Sequence, residues 1–561
     1  MNSHDSKGRE IPASTSAARI CHALSLANLP VALVHRIADG GPTARAPKGA
    51  LGPPGRAIAC TSRTPVIVVT TFLATLLSAT SLLAQDAPTV ADELKALRQK
   101  VEELEKKVRT LEINQPPAHV PETNTTQRVE EIDQKVKVLE RNHELEQEAA
   151  AAKAKEAPKI TVGENGFGMA SANGDFALQL KGVLQIDSRT FFNDSGIVGN
   201  DGFLLRRARP ILQGTVFRDF DFLFVPDFGG TSGAQIYDAF LNYRYSPALQ
   251  LQAGKFKTPV GLEQLQADRD ILFNERSLVT DLVPNRDIGF ELHGDLLKGA
   301  ISYAAAILNG LGDARNSSNA DFEDDKAFAG RLFVQPFKTT SLTGLQGLGI
   351  GIGSSYEDVQ TSNTTALPNN NGYATVGQQL FFTYNPTNRS VVADGTHWRV
   401  SPQAYYYYGP FGLLGEYAIS DQHVALAGAG PAHSTSLEHT AWQVSGSWLI
   451  TGEDASFGNV VPRHPFSLTQ GGWGAWQLVA RYSQLDIDPD TFPLYADPRT
   501  SAESAREWSA GLNWYLNRNV RFALSFSHTD FKGGGGSGSS APAAVTRQSE
   551  EVLFTRVQLA F

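Results

Sequence analysis

Residues Glu551–Phe561 read Glu-Val-Leu-Phe-Thr-Arg-Val-Gln-Leu-Ala-Phe and alternate in polarity with a period of two. One face carries Leu553, Thr555, Val557, Leu559 and Phe561, and the other carries Phe554, Arg556, Gln558 and Ala560. A strand of about ten residues with an apolar face toward lipid and a more polar face toward a lumen is the unit of a transmembrane β-barrel. We therefore predict that this segment spans an outer membrane and that barrel-assembly machinery recognises its aromatic end, Phe561.

The same alternation recurs upstream. Within residues 176–189, one face carries Phe176, Leu178, Leu180, Leu184 and Ile186, and the other carries Gln179, Lys181, Gln185, Asp187 and Arg189. Similar patterns lie at 235–246, 398–408, 441–450, 475–486, 505–516 and 520–531. About 400 residues, at roughly 25 per strand and connection, predict an all-β, antiparallel barrel of about 16 strands, a size that leaves an aqueous channel.

The connections between these segments differ in length. Tight turns at 409–410 and 517–519 alternate with long polar loops at 421–440, 487–504 and 532–550, as in barrels with short turns on one side and long loops on the other. The segment 451–474 is too long for the short-turn side on which the count places it, and the pattern does not explain it. The run Tyr405 to Tyr408 predicts an aromatic girdle at a membrane interface.

An apolar run covers residues 65–84, preceded by Arg63 and followed by polar residues. This order of charge, apolar run and small residue predicts a secretory signal cleaved after Ala84, and the alternative is a single membrane-spanning helix. Cys21 and Cys60 precede the cleavage position, so disulfides are not expected in the mature chain. No other stretch of 18 apolar residues occurs, and a spanning protein without such helices must be a closed barrel.

A different period marks residues 92–112. Here Leu94, Leu97, Val101, Leu104, Val108 and Leu111 recur at alternating spacings of three and four among Glu and Lys, which predicts a coiled coil and hence self-association. A second short seam of Val129, Ile132, Val136 and Leu139 follows a Pro-containing break. A single amphipathic helix packed on a domain is the alternative. The predicted organisation is an extension and signal peptide at 1–84, a periplasmic coiled coil at 85–158, and a barrel at 159–561.

Composition and motifs exclude several function classes. With 49 Lys and Arg against 58 Asp and Glu, a nucleic-acid partner is not expected. Neither a Gly-x-Ser-x-Gly elbow nor a His-Glu-x-x-His helix is present, and the glycines of 347–353 recur with the period of a strand. His423, His433 and His439 lack a compact metal-ligand spacing and are expected to be exposed loop residues. No enzyme activity, catalytic residue, cofactor or metal is predicted.

Basic residues are the candidates for controlling passage through a channel. In the cluster Arg206–Arg209, parity predicts that Arg207 and Arg209 face the lumen with Gln213 and Thr215, that Leu204, Ala208, Leu212 and Val216 face lipid, and that Arg206 lies at an interface or strand end. Arg244 opposes the apolar set Ala239, Leu241 and Tyr243. These arginines either guide anions or act as struts that neutralise lumenal carboxylates.

A second basic region, 254–289, mixes Gly, Pro and charge without a period, so it predicts a loop that folds into the barrel and narrows it. Its candidate lining residues are Lys255, Lys257, Arg269, Arg276 and Arg286. The carboxylates available to pair with them are Glu263, Asp268, Asp270, Glu275 and Asp287.

Several of these stretches resemble the phosphate-selective porin O/P family. They are Phe-Leu-Leu-Arg-Arg-Ala-Arg at 203–209, Asp-Phe-Asp-Phe-Leu-Phe-Val-Pro-Asp-Phe at 219–228, Gly-Lys-Phe-Lys-Thr-Pro-Val-Gly-Leu-Glu at 254–263, Phe-Asn-Glu-Arg at 273–276, Pro-Asn-Arg-Asp-Ile-Gly at 284–289, Ser-Gly-Ser-Trp-Leu-Ile-Thr-Gly-Glu at 445–453, and Gly-Ala-Trp-Gln-Leu-Val-Ala-Arg-Tyr-Ser at 474–483. The resemblance implies a trimeric, 16-stranded outer-membrane porin, some relatives of which pass phosphate or pyrophosphate through arginine- and lysine-lined channels. It also implies that the long segment 451–474 is a family feature. Residues 159–561 nevertheless carry 29 basic and 39 acidic residues.

The expected function is a water-filled outer-membrane channel for small anions such as phosphate or polyphosphate. The alternatives are a non-selective porin, or a barrel that anchors a coiled-coil tether between outer membrane and cell wall. The expected partners are outer-membrane lipid and lipopolysaccharide, two further copies in a homotrimer, and peptidoglycan in the case of the tether.

Overall fold

The computed structural model describes residues 123–561 apart from 193–198, 231–232, 319–320, 322–323, 364–365, 387–388, 429 and 537–544, together with helical residues 99, 102, 103, 106, 107, 109 and 110. The chain divides into two units, 1–121 and 122–561, and the second is described below. The predicted signal peptide and the apolar positions of the 94–111 seam lie outside the described residues.

One long helix precedes the sheet. Helix α1 spans Thr123–Glu156 and contains the second predicted seam, in which Val136 and Leu139 are 44% and 67% exposed. Helical structure is therefore correct here, whereas pairing with partner helices stays a prediction. No helix in the described part of the chain is long and apolar enough to cross a membrane.

The main sheet contains 18 antiparallel strands. Their bounds are β1 Lys159–Gly163, β2 Gly166–Ala170, β3 Ala177–Phe191, β4 Gly202–Val216, β5 Phe220–Asp227, β6 Gln235–Ser246, β7 Leu249–Lys257, β8 Arg286–Leu296, β9 Ile301–Leu308, β10 Ala327–Val334, β11 Leu348–Asn363, β14 Ser390–Tyr408, β15 Phe411–Ala427, β16 Ser434–Leu449, β17 Ala475–Asp486, β18 Ala502–Tyr515, β19 Val520–Gly533 and β20 Glu550–Ala560. Two short strands, β12 Gly372–Ala374 and β13 Leu380–Thr383, form a separate hairpin in the loop between β11 and β14.

Pairing of β20 with β3, from Val552 opposite Phe191 to Ala560 opposite Val183, closes a barrel. The remaining two strands, β1 and β2, form a two-stranded ribbon, in which β2 pairs with the N-terminal end of β3. This leaves 16 strands in the barrel. Every strand of the barrel is thus hydrogen-bonded to a neighbour on both sides. The barrel has no free edge, as a membrane requires. The predicted closed barrel of about 16 strands is correct.

Alternation along the strands separates an apolar outer surface from a polar interior. On β20, Leu559 and Val557 are exposed whereas Gln558 and Arg556 are buried, and on β3 the exposed Leu184 lies next to the buried Gln185. Both follow the predicted faces. Because the buried face points into the lumen, the exposed apolar face is the one available to lipid.

One predicted connection differs from the structure. Residues 421–440 are mostly strand, since β15 continues to Ala427 and β16 begins at Ser434. His423 and His439 therefore lie on strands, and His439 is buried with its Nδ1 accepting the amide N–H of Asp488 at 3.0 Å. The expectation of exposed loop histidines was wrong for His423 and His439, because this stretch continues strands β15 and β16.

The segment 450–474 does lie on the short-turn side, between β16 and β17. It contributes Phe457, whose ring stacks on Tyr405 at 5.5 Å and whose carbonyl accepts a hydrogen bond from Gln266. Tyr405 also contacts Tyr407, and it packs on Phe333, a buried side chain of the lumenal face. The girdle prediction was therefore wrong for Tyr405, which faces inward, whereas Tyr408 is 56% exposed.

The hydrophobic core lies inside the barrel. Side chains of the loop between β7 and β8, including Val260, Leu278 and Leu282, pack with Phe382 of the β12–β13 hairpin and Leu437 of β16. These loops occupy the lumen beside β14–β19. The part of the lumen that stays open next to them lies toward β3–β6. The loops thus decide where the candidate site can be.

Candidate functional site

The loop between β7 and β8, residues 258–285, is here named the crossing loop because it is bonded to strands far from its own ends. Its carbonyl groups accept hydrogen bonds from Gln403 of β14, Arg481 of β17 and Arg521 of β19, at Val260, Glu275 and Ile271 respectively. The prediction that this segment folds into the barrel is correct.

The start of the crossing loop is held by a buried carboxylate. Glu416 of β15 accepts the amide N–H groups of Leu262 and Glu263, at 2.7 and 3.0 Å, where the four-residue helix α2 (Leu262–Leu265) begins. A Cβ on Gly353 of β11 would lie 2.1 Å from the carbonyl oxygen of Val260. The glycine therefore allows the loop to touch the wall.

Two carboxylates of the crossing loop form ion pairs with arginines of the barrel strands. Asp268 pairs with Arg209 of β4 and with Arg276 of the same loop, and its Oδ2 lies 3.6 Å from Nε of Arg207. These arginines hold the pKa of the Asp268 carboxyl well below its usual range despite its burial. The folded loop therefore favours the ionised form of Asp268.

Glu275 makes the second cluster. Arg206 donates to both of its carboxylate oxygens, from Nε at 2.5 Å and from Nη2 at 2.9 Å, and Arg189 of β3 donates at 3.3 Å. The same arginines lower the pKa of Glu275 below its usual range. Both clusters lock the crossing loop against β3 and β4.

The inward position of Arg206 corrects the parity prediction. The register of β3 and β4 shifts between Gln185 and Ile186, so that Gln185 faces Arg207 whereas Ile186 faces Leu205. Arg206 is thus the extra residue of a β-bulge, which re-aims a side chain. Beyond the bulge the parity is inverted, and Leu204, predicted to face lipid, lines the lumenal cavity.

A second bulge does the same on β6. The register with β5 shifts between Val225 and Pro226, which brings Tyr237 into the lumen. The guanidinium carbons of Arg209 and Arg286 lie 3.9 and 4.4 Å from its ring centroid. The ring therefore separates two cations and contacts both of them, as cation–π geometry allows.

These groups surround a cavity of about 650 Å³. Six arginines line it: Arg189, Arg206, Arg207, Arg209, Arg276 and Arg286. Four acidic residues also line it: Asp227, Asp268, Glu275 and Asp281. The lining is completed by polar side chains of the crossing loop and by the loop that carries the β12–β13 hairpin.

Asp281 differs from the other three acids. Its carboxylate accepts the amide N–H of Ala374 at 3.2 Å, and burial together with the nearby Asp313 raises its pKa well above the usual range. Arg286 is paired with Asp238, which does not line the cavity, at 2.9 Å. The cavity thus has a small excess of positive charge, with most arginines already in ion pairs.

The structure brings together half of the predicted site residues. Arg207, Arg209, Arg276 and Arg286 line the cavity, whereas the remaining four do not: Arg244, Lys255, Lys257 and Arg269. Arg244 pairs with Asp221 at 2.7 Å near the short-turn end, and Arg269 lies 3.5 Å from Asp270. Lys255 and Lys257 donate to the carbonyl oxygens of Ser317 and Gln266.

Arg189, Arg206 and Tyr237 were missed as site residues. Arg189 was placed on the polar face of β3 by its alternation, so the signal for it existed. Bulges hide Arg206 and Tyr237, because a strict period of two assigns each of them to the wrong face. Among the described residues, no group of three or more His, Cys, Asp or Glu side chains forms a metal site.

A second charged cluster lies inside the barrel. Arg399 of β14 donates to Asp313 at 2.5 Å and to the carbonyl of Leu311 at 2.6 Å, and Ser420 of β15 donates to Asp313 at 2.8 Å. This cluster fixes the loop between β9 and β10 against the wall. Its arginine is 2% exposed, and it acts as a strut.

This chain is similar to one protein family and to several solved structures. A family model described as phosphate-selective porin O and P matches residues 178–561, whereas a search of curated proteins found no similar sequence. Among solved structures, OmpT of Vibrio cholerae has a TM-score of 0.43 at 11% identity, covering 69% of this chain and 98% of that chain. The channel DcaP of Acinetobacter baumannii has a TM-score of 0.42 at 10% identity, and the match covers 69% of this chain and 97% of that chain. An anion-selective porin from Comamonas acidovorans has a TM-score of 0.42 at 11% identity, and the match covers 69% of this chain and all of that chain.

Proposed function

Because this chain belongs to the phosphate-selective porin O and P family, we propose that its barrel favours small anions, such as phosphate or polyphosphate, over cations. The family and the closed 16-stranded barrel make it a bacterial outer-membrane channel for small solutes. Preference for anions is the further step. It rests on one observation, the arginine-lined cavity between β3–β6 and the crossing loop.

The physical argument is local charge. In a channel, the field at the narrow part decides which ions enter, and low-dielectric walls strengthen that field. Arginine suits an oxyanion because its planar guanidinium donates two parallel hydrogen bonds. The barrel is acidic overall, but the ion pairs of the cavity leave arginines in excess over carboxylates. This local excess supports anion preference.

The test is a reversal-potential measurement on the purified full chain in a planar bilayer with asymmetric potassium chloride. Anion preference gives a reversal potential of the sign set by chloride, and added phosphate then reduces the chloride current. A reversal potential near zero, or of opposite sign, would make the protein a non-selective or cation-preferring porin. An intact barrel that carries no current would favour the tether.

We also propose that the functional unit is a homotrimer. The heptad seam at 94–111 supports self-association, as does α1, in which the seam residues Val136 and Leu139 are exposed in the single chain. Mass measurement in mild detergent tests this, and deletion of 85–158 is expected to loosen the oligomer while the barrel stays folded. We also propose lipopolysaccharide, peptidoglycan and the assembly machinery as partners. The outer-membrane location of the barrel supports these three proposals.

A further inference from the structure

The cavity has two unlike walls. One wall carries the arginines of β3 and β4 together with Arg276 of the crossing loop and Arg286 of β8. A second part of the lining is the loop between β11 and β14, which contributes four residues with amide side chains: Asn369, Asn370, Gln378 and Gln379. An amide both donates and accepts hydrogen bonds, whereas a guanidinium only donates. The two walls therefore recognise different chemical groups.

The charge of the arginine wall is largely compensated. Glu275 pairs with Arg189 and Arg206, and Asp268 pairs with Arg209 and Arg276. Asp227 and Asp238 take the remaining contacts of Arg209 and Arg286. Six arginines thus pair with four carboxylates, and burial raises the pKa of a fifth carboxyl, that of Asp281. Such a wall matches a ligand with one or two negative charges.

The size of the cavity points the same way. Its volume of about 650 Å³ lies within the range of roughly 300–1,000 Å³ that holds whole organic ligands. A bare tetrahedral anion offers oxygen acceptors and at most one or two hydroxyl groups, so it leaves most carbonyl ends of these amides unused. A ligand that carries several hydroxyl groups would satisfy them.

We propose that this cavity binds a polyhydroxylated organic anion of sugar size. Its phosphoryl or carboxylate group lies on the arginine wall, and its hydroxyl groups lie against Gln378, Gln379 and the neighbouring asparagines. This inference rests on the proposed anion preference and names the class of solute that the same site takes. A sugar phosphate and a sugar acid share the required chemistry.

The experiment measures block of the chloride current through the full chain by four probes: glucose 6-phosphate, gluconate, inorganic phosphate and glucose. Glucose 6-phosphate or gluconate is expected to block at a concentration at least tenfold below that of phosphate, and glucose alone is expected to block weakly. The more effective of the two organic anions identifies the charged group. Equal block by phosphate and by both organic anions would overturn the inference.

A double variant tests the amide wall. Gln378 has a φ of 64°, which glycine adopts without strain, so the variant is Gln378→Gly with Gln379→Ala. Its half-blocking concentration for the organic anion is expected to rise at least tenfold while that for phosphate stays unchanged. The matched control is Gln470→Ala, an exposed glutamine of the segment 450–474.

The outcomes separate this inference from the proposed function. Cation preference in the unmodified chain defeats both. Anion preference without any advantage for the organic anions defeats only the inference, as does an unchanged advantage in the double variant. If the double variant does not assemble, Asn369→Ala in the same wall provides the second test, with the same expected loss.

Discussion

Arg556 and Asp187 form a two-bonded ion pair across the seam at which β20 closes on β3. Nε donates to Oδ1 at 2.6 Å and Nη2 donates to Oδ2 at 2.7 Å, and both side chains are fully buried. The two residues are also paired in the register of the strands. The pair therefore joins one end of the barrel sequence to the other.

Replacement of Asp187 by Asn should weaken the closure. Breaking one partner of a buried pair costs about 3–5 kcal/mol, because the other charge is left without compensation. The measurement is the temperature at which the folded barrel unfolds in detergent, followed by its gel mobility. The double variant Asp187→Asn with Arg556→Gln should recover part of the loss. Equal stability of wild type and Asp187→Asn would contradict the role of this pair.

The sequence predicted this pair in part. The period of two placed Asp187 and Arg556 on the polar faces of their strands, since a strand buried on one side must alternate. Closure of the last strand on the first was expected, but the sequence could not predict the register that places Arg556 opposite Asp187. That fact depends on the closure of the whole barrel, which no local pattern encodes.

The residues of the candidate site were less predictable from the sequence than the strands of the barrel. Arg207 and Arg209 followed from alternation, but Arg206 and Tyr237 reach the lumen through bulges, which add one residue and reverse the parity beyond it. Asp268, one of the two acidic partners of Arg209, comes from a loop without a period, so only the composition of that loop could suggest it. Lys255 and Lys257 were candidates by charge alone, and local backbone carbonyls engage them instead.

Gly353 should be intolerant of a side chain. In Gly353→Ala the new Cβ would lie 2.1 Å from the Val260 carbonyl oxygen, so the crossing loop has to leave the wall and lose the 2.8 Å hydrogen bond from Gln403. Overpacking of this kind typically costs about 1–3 kcal/mol. The unfolding temperature should fall and the single-channel conductance should change. In the control Gly415→Ala, the nearest atom to the new Cβ is 3.8 Å away, and neither quantity should change.

Asp268 and Asp281 should respond oppositely to replacement by Asn. The pKa of Asp268 is lowered, so its ionised form stabilises the fold above the ordinary aspartate pKa of about 3.9, and that contribution is lost as pH falls through the lowered native value. Asp268→Asn should therefore be destabilised at pH 7, with a difference from wild type that disappears in strong acid.

The pKa of Asp281 is raised, so folding favours the neutral carboxyl, and the cost of retaining that proton grows as pH rises above the ordinary value. Asp281→Asn should be at least as stable as wild type at pH 7. Unfolding temperatures at pH 2, 4, 5.5 and 7 give both comparisons. A destabilised Asp281→Asn at pH 7 would show that its carboxylate is ionised in the folded protein.

Phe561 should matter for assembly more than for conduction. Its backbone exchanges two hydrogen bonds with Gly182, each of 3.0 Å, and its ring packs edge-to-face on Phe167 at 6.1 Å. Phe561→Ala keeps the backbone bonds and removes the ring. Outer-membrane levels should fall in cells, whereas purified protein refolded in detergent should retain its conductance. A parallel loss in both settings would indicate a structural role for the ring rather than recognition by the assembly machinery.

Arg207 and Arg209 lie two residues apart on β4 but are held differently, so their replacement by Ala should have different effects. Arg209 donates to Asp227 at 2.6 Å, pairs with Asp268 and stacks on Tyr237. Arg209→Ala leaves these carboxylates short of a partner, and its main effect should be a lower unfolding temperature. Arg207 donates to Gln185 at 2.7 Å and lies 3.6 Å from Asp268, so less of its charge is compensated by direct hydrogen bonds to carboxylates.

Arg207→Ala should therefore lower the anion preference, measured as the reversal potential, while the unfolding temperature changes less than in Arg209→Ala. Arg506, an exposed arginine on the outer face of β18, provides the matched control, and Arg506→Ala should change neither quantity. The double variant should show the loss of selectivity of the first change and the loss of stability of the second. Unchanged selectivity in Arg207→Ala and in the double variant would leave both arginines as struts, because an arginine that guides anions has to contribute to the field they cross.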